Sequence, residues 1–385
     1  MIYLDYSATT PVDARVVDAM TPFFNASFGN PSSVHRFGQV AESAIDAARE
    51  SVASVLNCRP DEIIFTSCGS ESDNLAIRGA AYAMREKSGA NWILAARAEH
   101  PAVTKTLEHL GKYDGFRIEW LEVDERGMVT PETVSKAICN NTALVSVMYA
   151  NNEIGTINPI REIADLCRAN SILFHTDAVQ AAAYLQVDVN ELGLDMMSLG
   201  AHKFYGPKGV GALYIRKGTP LISHLTGGGQ EFNLRAGTQN VPYIVGFAEA
   251  LRLTNQEREQ RVAHVKPLRD KIIGSVLESI SDSRLTGDMA SRLPHHASFV
   301  FKDVDGNLLL TLLDAAGFAC SSGSACKTGN PEPSEVMNAI GLSREWGLGS
   351  LRVTVGVQTT PADVDEFLSE LPSLVETARK LHASK

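Results

Sequence analysis

Short apolar segments alternate with amphipathic helical patterns along the first two thirds of this sequence, and this alternation constrains the fold most strongly. The apolar segments, each long enough for one buried strand, are Glu62–Thr66, Trp92–Ala96, Ala143–Met148, Ile172–Thr176, Met196–Ser198 and Gly211–Ile215. The helical patterns include Gln39–Asn57, Ser70–Arg85 and Ile160–Ala169. Strands that alternate with helices predict an α/β protein with a mostly parallel sheet covered by helices.

The pattern changes near Tyr243, where a long charged helical stretch begins. This stretch is typical of a connector into a second, smaller α+β unit. We therefore expect a large domain over residues 13–255 and a small domain made of residues 1–12 and 256–385. In an open parallel sheet, ligands bind beyond the carboxyl ends of the strands, so the polar residues that follow the predicted strands are the candidates for a functional site.

Charge and composition exclude several classes of protein. The 385 residues carry a net charge of −10 and no run of Lys and Arg, which argues against a nucleic-acid binder. The amino terminus lacks a signal-peptide pattern, and no apolar run reaches the length of a spanning helix, so we expect a cytoplasmic protein without a membrane anchor. Six sparse, irregularly spaced cysteines do not suggest a disulfide framework, so any special cysteine should be reactive.

Lys203 follows a predicted buried strand and precedes a Gly-Pro turn. Most lysines are solvated surface charges, but a sheltered lysine can lose its proton and form a Schiff base with an aldehyde cofactor such as pyridoxal phosphate (PLP). Such a site also needs a carboxylate for the pyridine nitrogen. Asp177 follows another predicted strand, and Gln180 could reach the ring hydroxyl. Taken alone, Asp177 could equally be a helix N-cap.

Two further parts of a cofactor site can be proposed from the pattern. After Gly69, the residues Ser70 to Asp73 form a capping-box pattern at a helix start, which would direct backbone N–H groups at an anion or would simply cap a helix. His100 lies between a strand and a helix that would begin at Pro101. It could move protons above a cofactor ring, or it could be a packing residue.

The smaller unit contains a loop rich in Ser, Gly and Pro that includes Cys326. The neighbouring Lys327 would favour the thiolate, which is the nucleophilic form of cysteine. Cys320 ends an apolar run and should be a buried small hydrophobe, and its spacing from Cys326 does not suggest a metal site. Arg352 begins an apolar strand, where its fork could bind a substrate carboxylate or face water from an edge strand.

Nine segments in order resemble the cysteine desulfurases, PLP enzymes of the aminotransferase class V superfamily, and they extend over almost the whole chain. They are YLDYSATTP at 3–11, FGNPSSVHRFG at 28–38, FTSCGSESDNLAI at 65–77, NNEIGTINPI at 151–160, HTDAVQ at 175–180, AHKFYGPKGVG at 201–211, GGGQEFNLRAGT at 227–238, SSGSAC at 321–326 and GSLRVTVG at 349–356. The long SSGSAC segment resembles the branch that serves iron–sulfur assembly, nitrogenase maturation or general sulfur supply.

The resemblance implies the aspartate-aminotransferase-like fold of fold type I PLP enzymes and a homodimer that converts L-cysteine to L-alanine. Sulfur would form a persulfide on Cys326 and pass to acceptors such as iron–sulfur assembly proteins. Lys203 would hold the cofactor, with His100 stacked on the ring. The other implied cofactor contacts are Asp177, Gln180, Gly69, Ser70, His202 and, from the partner subunit, Thr238. Asn152 and Arg352 would hold the substrate carboxylate.

Three departures from the family pattern affect details of the site. Cys68-Gly69-Ser70 replaces the usual Gly-Ala-Thr, Gly200 stands where many members have a phosphate-binding serine, and Gly347-Leu-Gly-Ser replaces Ala-His-Gly-Ser. We expect Gly200 to weaken retention of the cofactor.

The alternatives to a desulfurase are another PLP reaction on the same fold, such as a selenocysteine lyase or an aminotransferase, and a non-catalytic scaffold for sulfur assembly. A nicotinamide dehydrogenase is disfavoured because no G-x-G-x-x-G follows the first strand.

Overall fold

Seven strands form the central sheet of the protein, in the spatial order β2-β8-β7-β6-β5-β3-β4. The computed structural model describes residues 1–322 and 332–383. Within these residues the strands are β1 Ile2–Tyr3, β2 Ile63–Thr66, β3 Trp92–Ala96, β4 Arg117–Leu121, β5 Thr142–Ser146, β6 Leu173–Asp177, β7 Met196–Gly200, β8 Gly211–Ile215, β9 Ser283–Leu285, β10 His296–Phe301, β11 Phe318–Ala319 and β12 Ser350–Thr354.

The helices differ widely in length, from single turns to the 39-residue α9. They are α1 Ala14–Met20, α2 Pro22–Asn25, α3 Arg36–Leu56, α4 Gly69–Ser88, α5 Pro101–Tyr113, α6 Pro131–Ala137, α7 Ile160–Ala169, α8 Val189–Leu192, α9 Val241–Ser279, α10 Gly306–Ala315, α11 Glu335–Ala339, α12 Arg344–Gly347 and α13 Pro361–Ala383. Among the described helices, none combines the length and apolar content needed to cross a bilayer.

Most neighbours in the central sheet run parallel, as the alternation of strands and helices predicts. Strands β4, β3, β5, β6 and β7 pair in parallel, whereas β8 runs antiparallel to both β2 and β7. The sequence pattern did not predict β4. This edge strand is buried only at its last residue, so it lacks the continuous apolar run of a central strand.

The side chains of each central strand alternate between two apolar cores, one on each face of the sheet. In β3, Ile93 packs with residues of α4 and α5, whereas Leu94 packs into the larger core that contains parts of α3, α7 and α9. Because both faces are covered by helices, the inner strands are buried and mostly apolar. The edge formed by their carboxyl ends is therefore where polar side chains gather.

A second, smaller sheet follows α9 and consists of β12, β10 and β9, all antiparallel. The amino-terminal strand β1 pairs in parallel with β11. A single bridge also joins Asp5 to Thr354 at the end of β12. The chain start therefore lies against the later part of the sequence, beside the carboxyl edge of the large sheet.

Candidate active site

The carboxyl edge of the central sheet opens into a cavity of about 240 Å³. Strand β6 ends at Asp177, and β7 leads into the short 3-10 turn Ala201–Lys203. The cavity is lined by nine of the residues predicted from the sequence: Gly69, Ser70, His100, Asn152, Asp177, Gln180, His202, Lys203 and Arg352. Side chains from distant parts of the sequence therefore share one site.

The half-buried Lys203 is held by the start of the chain. Its Nζ donates hydrogen bonds to the carbonyl oxygens of Ser7 at 2.6 Å and Ala8 at 2.7 Å. Burial, followed by the positive charge of Arg352, lowers the pKa of Lys203 to about 8, against the opposing effect of Asp177. A neutral amine, which is the nucleophilic form, is thus accessible near neutral pH.

Asp177 is buried at the end of β6, and its Oδ1 accepts a 2.9 Å hydrogen bond from the backbone N–H of Val179. This contact lies in a turn, so the alternative role as a helix N-cap is wrong. Burial raises the pKa of Asp177, while His100 and Lys203 act in the opposite direction. A cationic partner in the cavity would favour its ionised form. Nearby, the buried Gln180 donates from Nε2 to the carbonyl oxygen of Ser7 at 2.9 Å.

Two histidines line the cavity in their neutral form. His100 is the N-cap of α5, which begins at Pro101 as predicted, and its Nδ1 accepts a 3.1 Å hydrogen bond from the N–H of Ala102. Burial lowers the pKa of His100, so the neutral ring carries its proton on Nε2. Burial also lowers the pKa of His202 to about 4, and the Nδ1 of this ring lies 3.2 Å from the hydroxyl of Thr9.

The start of α4 presents backbone N–H groups without a side-chain cap. The helix begins at Gly69, and its N-cap residue, Cys68, makes no capping hydrogen bond through its side chain. The predicted capping box is therefore wrong: Asp73 is buried inside the first turns, and Glu71 accepts instead from the N–H of Ser67 at 2.6 Å. An uncapped helix start at a cavity wall suits an anion such as a phosphate.

Arg352 lies within β12 and is only 8% exposed, so the alternative of an edge arginine facing water is wrong. Its Nη1 donates to the carbonyl oxygen of Asn152 at 2.9 Å, and its Nη2 donates to Oδ1 of Asp5 at 2.8 Å. Its Nε is buried and has no hydrogen-bond partner among the described residues. The guanidinium therefore retains donors for a further acceptor.

Sequence reasoning missed three residues around the cavity: Asp5, Ser7 and Asp73. Asp5 and Ser7 lie within the YLDYSATTP segment, whose family resemblance was the available signal, although no role was assigned to either residue. Asp73 lines the cavity, and its buried Oδ1 has no hydrogen-bond partner in the part of the chain that the structure describes. Burial, reinforced by the charge of Asp177, raises the pKa of Asp73 well above its ordinary value.

The remaining predicted residues are Thr238, Cys326 and Cys320. Thr238 is exposed and lies in a separate surface cavity beside Arg235, so it does not line the site within this chain. Cys326 lies outside the described residues. Cys320 is half-buried rather than fully buried, and it packs against the larger apolar core.

The residues present fit PLP. Lys203 offers an amine for an aldehyde, and Asp177 offers a buried carboxylate for a ring nitrogen. The uncapped N-terminus of α4 offers donors for a phosphate. A glycine at position 69 keeps this corner open, because a Cβ there would lie 2.7 Å from Cγ2 of Val179.

Comparison with known proteins agrees with this donor set. Residues 2–367 match the aminotransferase class-V family. The chain is 45% identical over 384 residues to a cysteine desulfurase IscS of Dictyoglomus turgidum, covering 100% of this chain and 97% of that protein. It is 44% identical over 380 residues to a cysteine desulfurase IscS of Methanosarcina thermophila, covering 99% of this chain and 93% of that protein.

A solved structure of a NifS-like protein superimposes with a TM-score of 0.90 at 35% identity, covering 98% of this chain and 99% of that one. The predicted fold type I architecture is thereby confirmed. The family model and the full-length relatives agree with each other and with the cavity. The chain belongs to the cysteine desulfurases of the aminotransferase class-V family.

Proposed function

We propose that the cavity around Lys203 holds PLP and that the protein uses it to convert L-cysteine to L-alanine, with sulfur transferred to Cys326. The observation that carries this proposal is the position of Lys203, whose pKa is lowered to about 8, in one cavity with the buried Asp177 and the uncapped start of α4. When bound, PLP supplies an electron sink for carbanion chemistry.

Each cavity residue has a defined task in this proposal. Lys203 would hold the aldehyde carbon, Asp177 would pair with the pyridine nitrogen, and Gln180 would bond the ring oxygen. The N–H groups of Gly69 and Ser70 hold the phosphate together with His202. The hydrogen bonds within the chain leave capacity for these contacts, because Asp177 uses Oδ1 for Val179 and Gln180 uses one N–H for Ser7.

Substrate binding and proton movement fall to four residues. Arg352 and Asn152 hold the α-carboxylate of L-cysteine. The amine of Lys203 would accept the α-proton, because a base with a pKa near 8 suits this task at neutral pH. His100 stacks on the ring and donates a proton from Nε2, the nitrogen left free by the contact with Ala102.

The sulfur step requires a thiolate nucleophile. The thiolate of Cys326 attacks the substrate sulfur and forms an S–S bond. The substrate C–S bond breaks with its electron pair left on carbon, which takes up a proton and becomes the methyl group of L-alanine. The thiol of Cys326 thereby becomes a persulfide, and no external oxidant or reductant is consumed.

The organisation of the protein follows from the same proposal. Residues 13–255 form the cofactor-binding domain, and residues 1–12 and 256–385 form the small domain. The chain forms a homodimer in the cytoplasm, in which the exposed Thr238 reaches the phosphate of the partner subunit's site. The persulfide sulfur passes to acceptor proteins, including those that assemble iron–sulfur clusters, in keeping with the relatives named IscS.

Alanine and sulfide release from L-cysteine tests this function, with purified protein, added PLP and a thiol reductant. The parent should produce alanine, and the Cys326→Ser variant should keep the cofactor but lose sulfur transfer. The Lys203→Ala variant should lose the covalent cofactor adduct that borohydride traps on the chain. Full turnover by Cys326→Ser would refute the role of Cys326, and an unchanged trapped adduct in Lys203→Ala would refute that of Lys203.

A further inference from the structure

Three separate chain segments meet at Arg352. The main chain of Arg352 pairs with Ser298 of β10 on one side. On the other side it exchanges backbone hydrogen bonds with Ser321, at 2.7 and 3.3 Å. The amino-terminal segment adds Asp5, which bridges to the nearby Thr354. The backbone of Arg352 is therefore fixed, and the placement of its long side chain depends on what holds the guanidinium.

Asp5 holds one end of that guanidinium. Nη2 of Arg352 lies 2.8 Å from Oδ1 of Asp5, and the two side chains are 10% and 14% exposed. Among the residues that the structure describes, Asp5 is the one carboxylate in ion-pair contact with this arginine. A charge-assisted hydrogen bond that is largely shielded from water is stronger than an exposed surface pair.

The second oxygen of Asp5 is also engaged. Oδ2 accepts a 2.6 Å hydrogen bond from the hydroxyl of Ser321. The carboxylate is therefore fixed from two sides, by the arginine and by a residue whose backbone pairs with the same arginine. A carboxylate fixed in this way can set the plane of the guanidinium rather than move with it.

Asp5 does not itself line the cavity, whereas Arg352 does. A guanidinium has five N–H donors, of which Asp5 and the carbonyl of Asn152 each take one. The remaining donors include the buried Nε, which has no partner within residues 1–322 and 332–383. Bidentate recognition of a carboxylate depends on the orientation of the planar fork, so holding Nη2 in place fixes the direction of the donors left over.

We propose that Asp5 is a positioning residue that orients Arg352 for the α-carboxylate of the substrate. This inference rests on the proposed function, in which Arg352 binds that carboxylate. Asp5 does not line the cavity and contacts Arg352, which does, so replacing Asp5 should affect ligands that carry a carboxylate much more than amines that lack one.

The test compares binding of L-alanine and of ethylamine, its analogue without the carboxylate, to the PLP-loaded protein, followed by cofactor absorbance. Asp5→Ala should weaken L-alanine binding about ten-fold, equivalent to about 1.4 kcal/mol, and change ethylamine binding less than about two-fold. Asp5→Asn keeps an oxygen acceptor and should lie between parent and Asp5→Ala. If Asp5→Ala fails to fold, Asp5→Asn alone provides the test of this inference. Asp18→Asn, a change at an exposed residue of α1, is the matched control.

The outcomes separate this inference from the function on which it rests. If the parent prefers L-alanine over ethylamine and Arg352→Ala abolishes the preference, the role of Arg352 stands. An unchanged preference, or a stronger one, in both Asp5 variants would then overturn the inference about Asp5 alone. If Arg352→Ala keeps the parent's preference, the proposed role of Arg352 fails, and the positioning role of Asp5 fails with it.

Discussion

Lys203 donates a 2.6 Å hydrogen bond to the backbone carbonyl oxygen of Ser7, so the first residues of the chain hold the amine at the centre of the site. The same carbonyl accepts from the amide of Gln180 at 2.9 Å. The amino-terminal segment is thus part of the active site, although in sequence it lies far from the sheet edge on which that site is built.

The lowered pKa of Lys203 predicts how cofactor capture depends on pH. Only the neutral amine attacks an aldehyde, and this fraction grows as the pH rises through about 8. The rate at which PLP-free protein captures PLP should therefore rise about ten-fold between pH 7 and pH 9 and then level off. Stopped-flow absorbance measures this rate. A rate that climbs without levelling toward pH 10.5, the ordinary lysine value, would contradict the environment described for Lys203.

Replacing Gly200 with serine should tighten cofactor binding. Gly200 has an extended backbone, and a Cβ there would lie 3.6 Å from the backbone nitrogen of Gly69 and 3.5 Å from Cγ1 of Val179, which are ordinary contacts. A serine hydroxyl would thus sit beside the start of α4 without displacing it. One added hydrogen bond to a phosphate should lower the dissociation constant of PLP about ten-fold.

The matched control is Gly200→Ala, which fills the same space but offers no donor. Its dissociation constant, measured by reconstituting PLP-free protein, should stay within about two-fold of the parent's. Equal effects of alanine and serine would show that packing, and not a phosphate contact, governs this position.

A buried ion pair should make a large contribution to the stability of the segment that carries Thr238. Arg49 donates two hydrogen bonds to Glu231, at 2.8 and 2.9 Å, and Glu231 also accepts from the N–H of Phe65 at 2.8 Å. The backbone is left-handed at Glu231, Phe232 and Asn233, with φ of 44°, 55° and 65°. This strained turn needs contacts elsewhere to hold it.

Glu231→Ala should therefore lower the free energy of unfolding by about 3 kcal/mol, because Arg49 would be left as a buried unpaired charge. Urea unfolding measures the change. Asp61→Ala breaks exposed pairs with Arg59 and Lys217 and should cost much less, because water screens them. Equal costs for the two variants would contradict the view that burial makes the Arg49–Glu231 pair important.

The environment of Glu153 predicts that the contribution of this residue to the stability of the folded protein changes with pH. Its Oε2 accepts a 2.6 Å hydrogen bond from the hydroxyl of Ser334, and burial raises its pKa from 4.5 to about 7. Between these two values the folded protein binds more protons at this residue than the unfolded chain does. The contribution of Glu153 to stability therefore falls as the pH rises from 4.5 to about 7.

Glu153→Gln removes this titration and keeps an oxygen that can accept from Ser334. The variant should gain stability relative to the parent as the pH rises from 4.5 to 8, by up to about 3 kcal/mol. Melting temperatures of both proteins across this range test the prediction. A difference between the two proteins that does not vary with pH would exclude a raised pKa for Glu153.

Much of the fold could be predicted because the central strands are buried on both faces. Two strands, Trp92–Ala96 and Gly211–Ile215, begin and end at the predicted residues, and so does the helix Ile160–Ala169. The half-exposed edge strand β4 lacks that signal and was missed. The start of α4 was also misjudged, because Ser and Asp residues suggest a capping box wherever they follow a turn. In the structure, Gly69 already lies inside the helix, and burial places Asp73 in the interior.

The cavity itself was less predictable than its strongest residues. Lys203 and Asp177 follow buried strands, so the topology of a parallel sheet brings them to one edge. The contact between Asp5 and Arg352 joins two residues that are 347 positions apart in sequence, and no local pattern encodes that meeting. Such contacts arise only when the chain packs.

Mapping of the transferred sulfur tests the central claim most directly. The PLP-loaded protein is treated with one equivalent of L-cysteine without reductant, thiols and persulfides are alkylated, and the peptides are measured by mass spectrometry. The account predicts one added sulfur atom on the peptide containing Cys326, formed together with L-alanine, and no added sulfur in Lys203→Ala. Alanine formation with the extra sulfur on another cysteine, or with none on the protein, would contradict it.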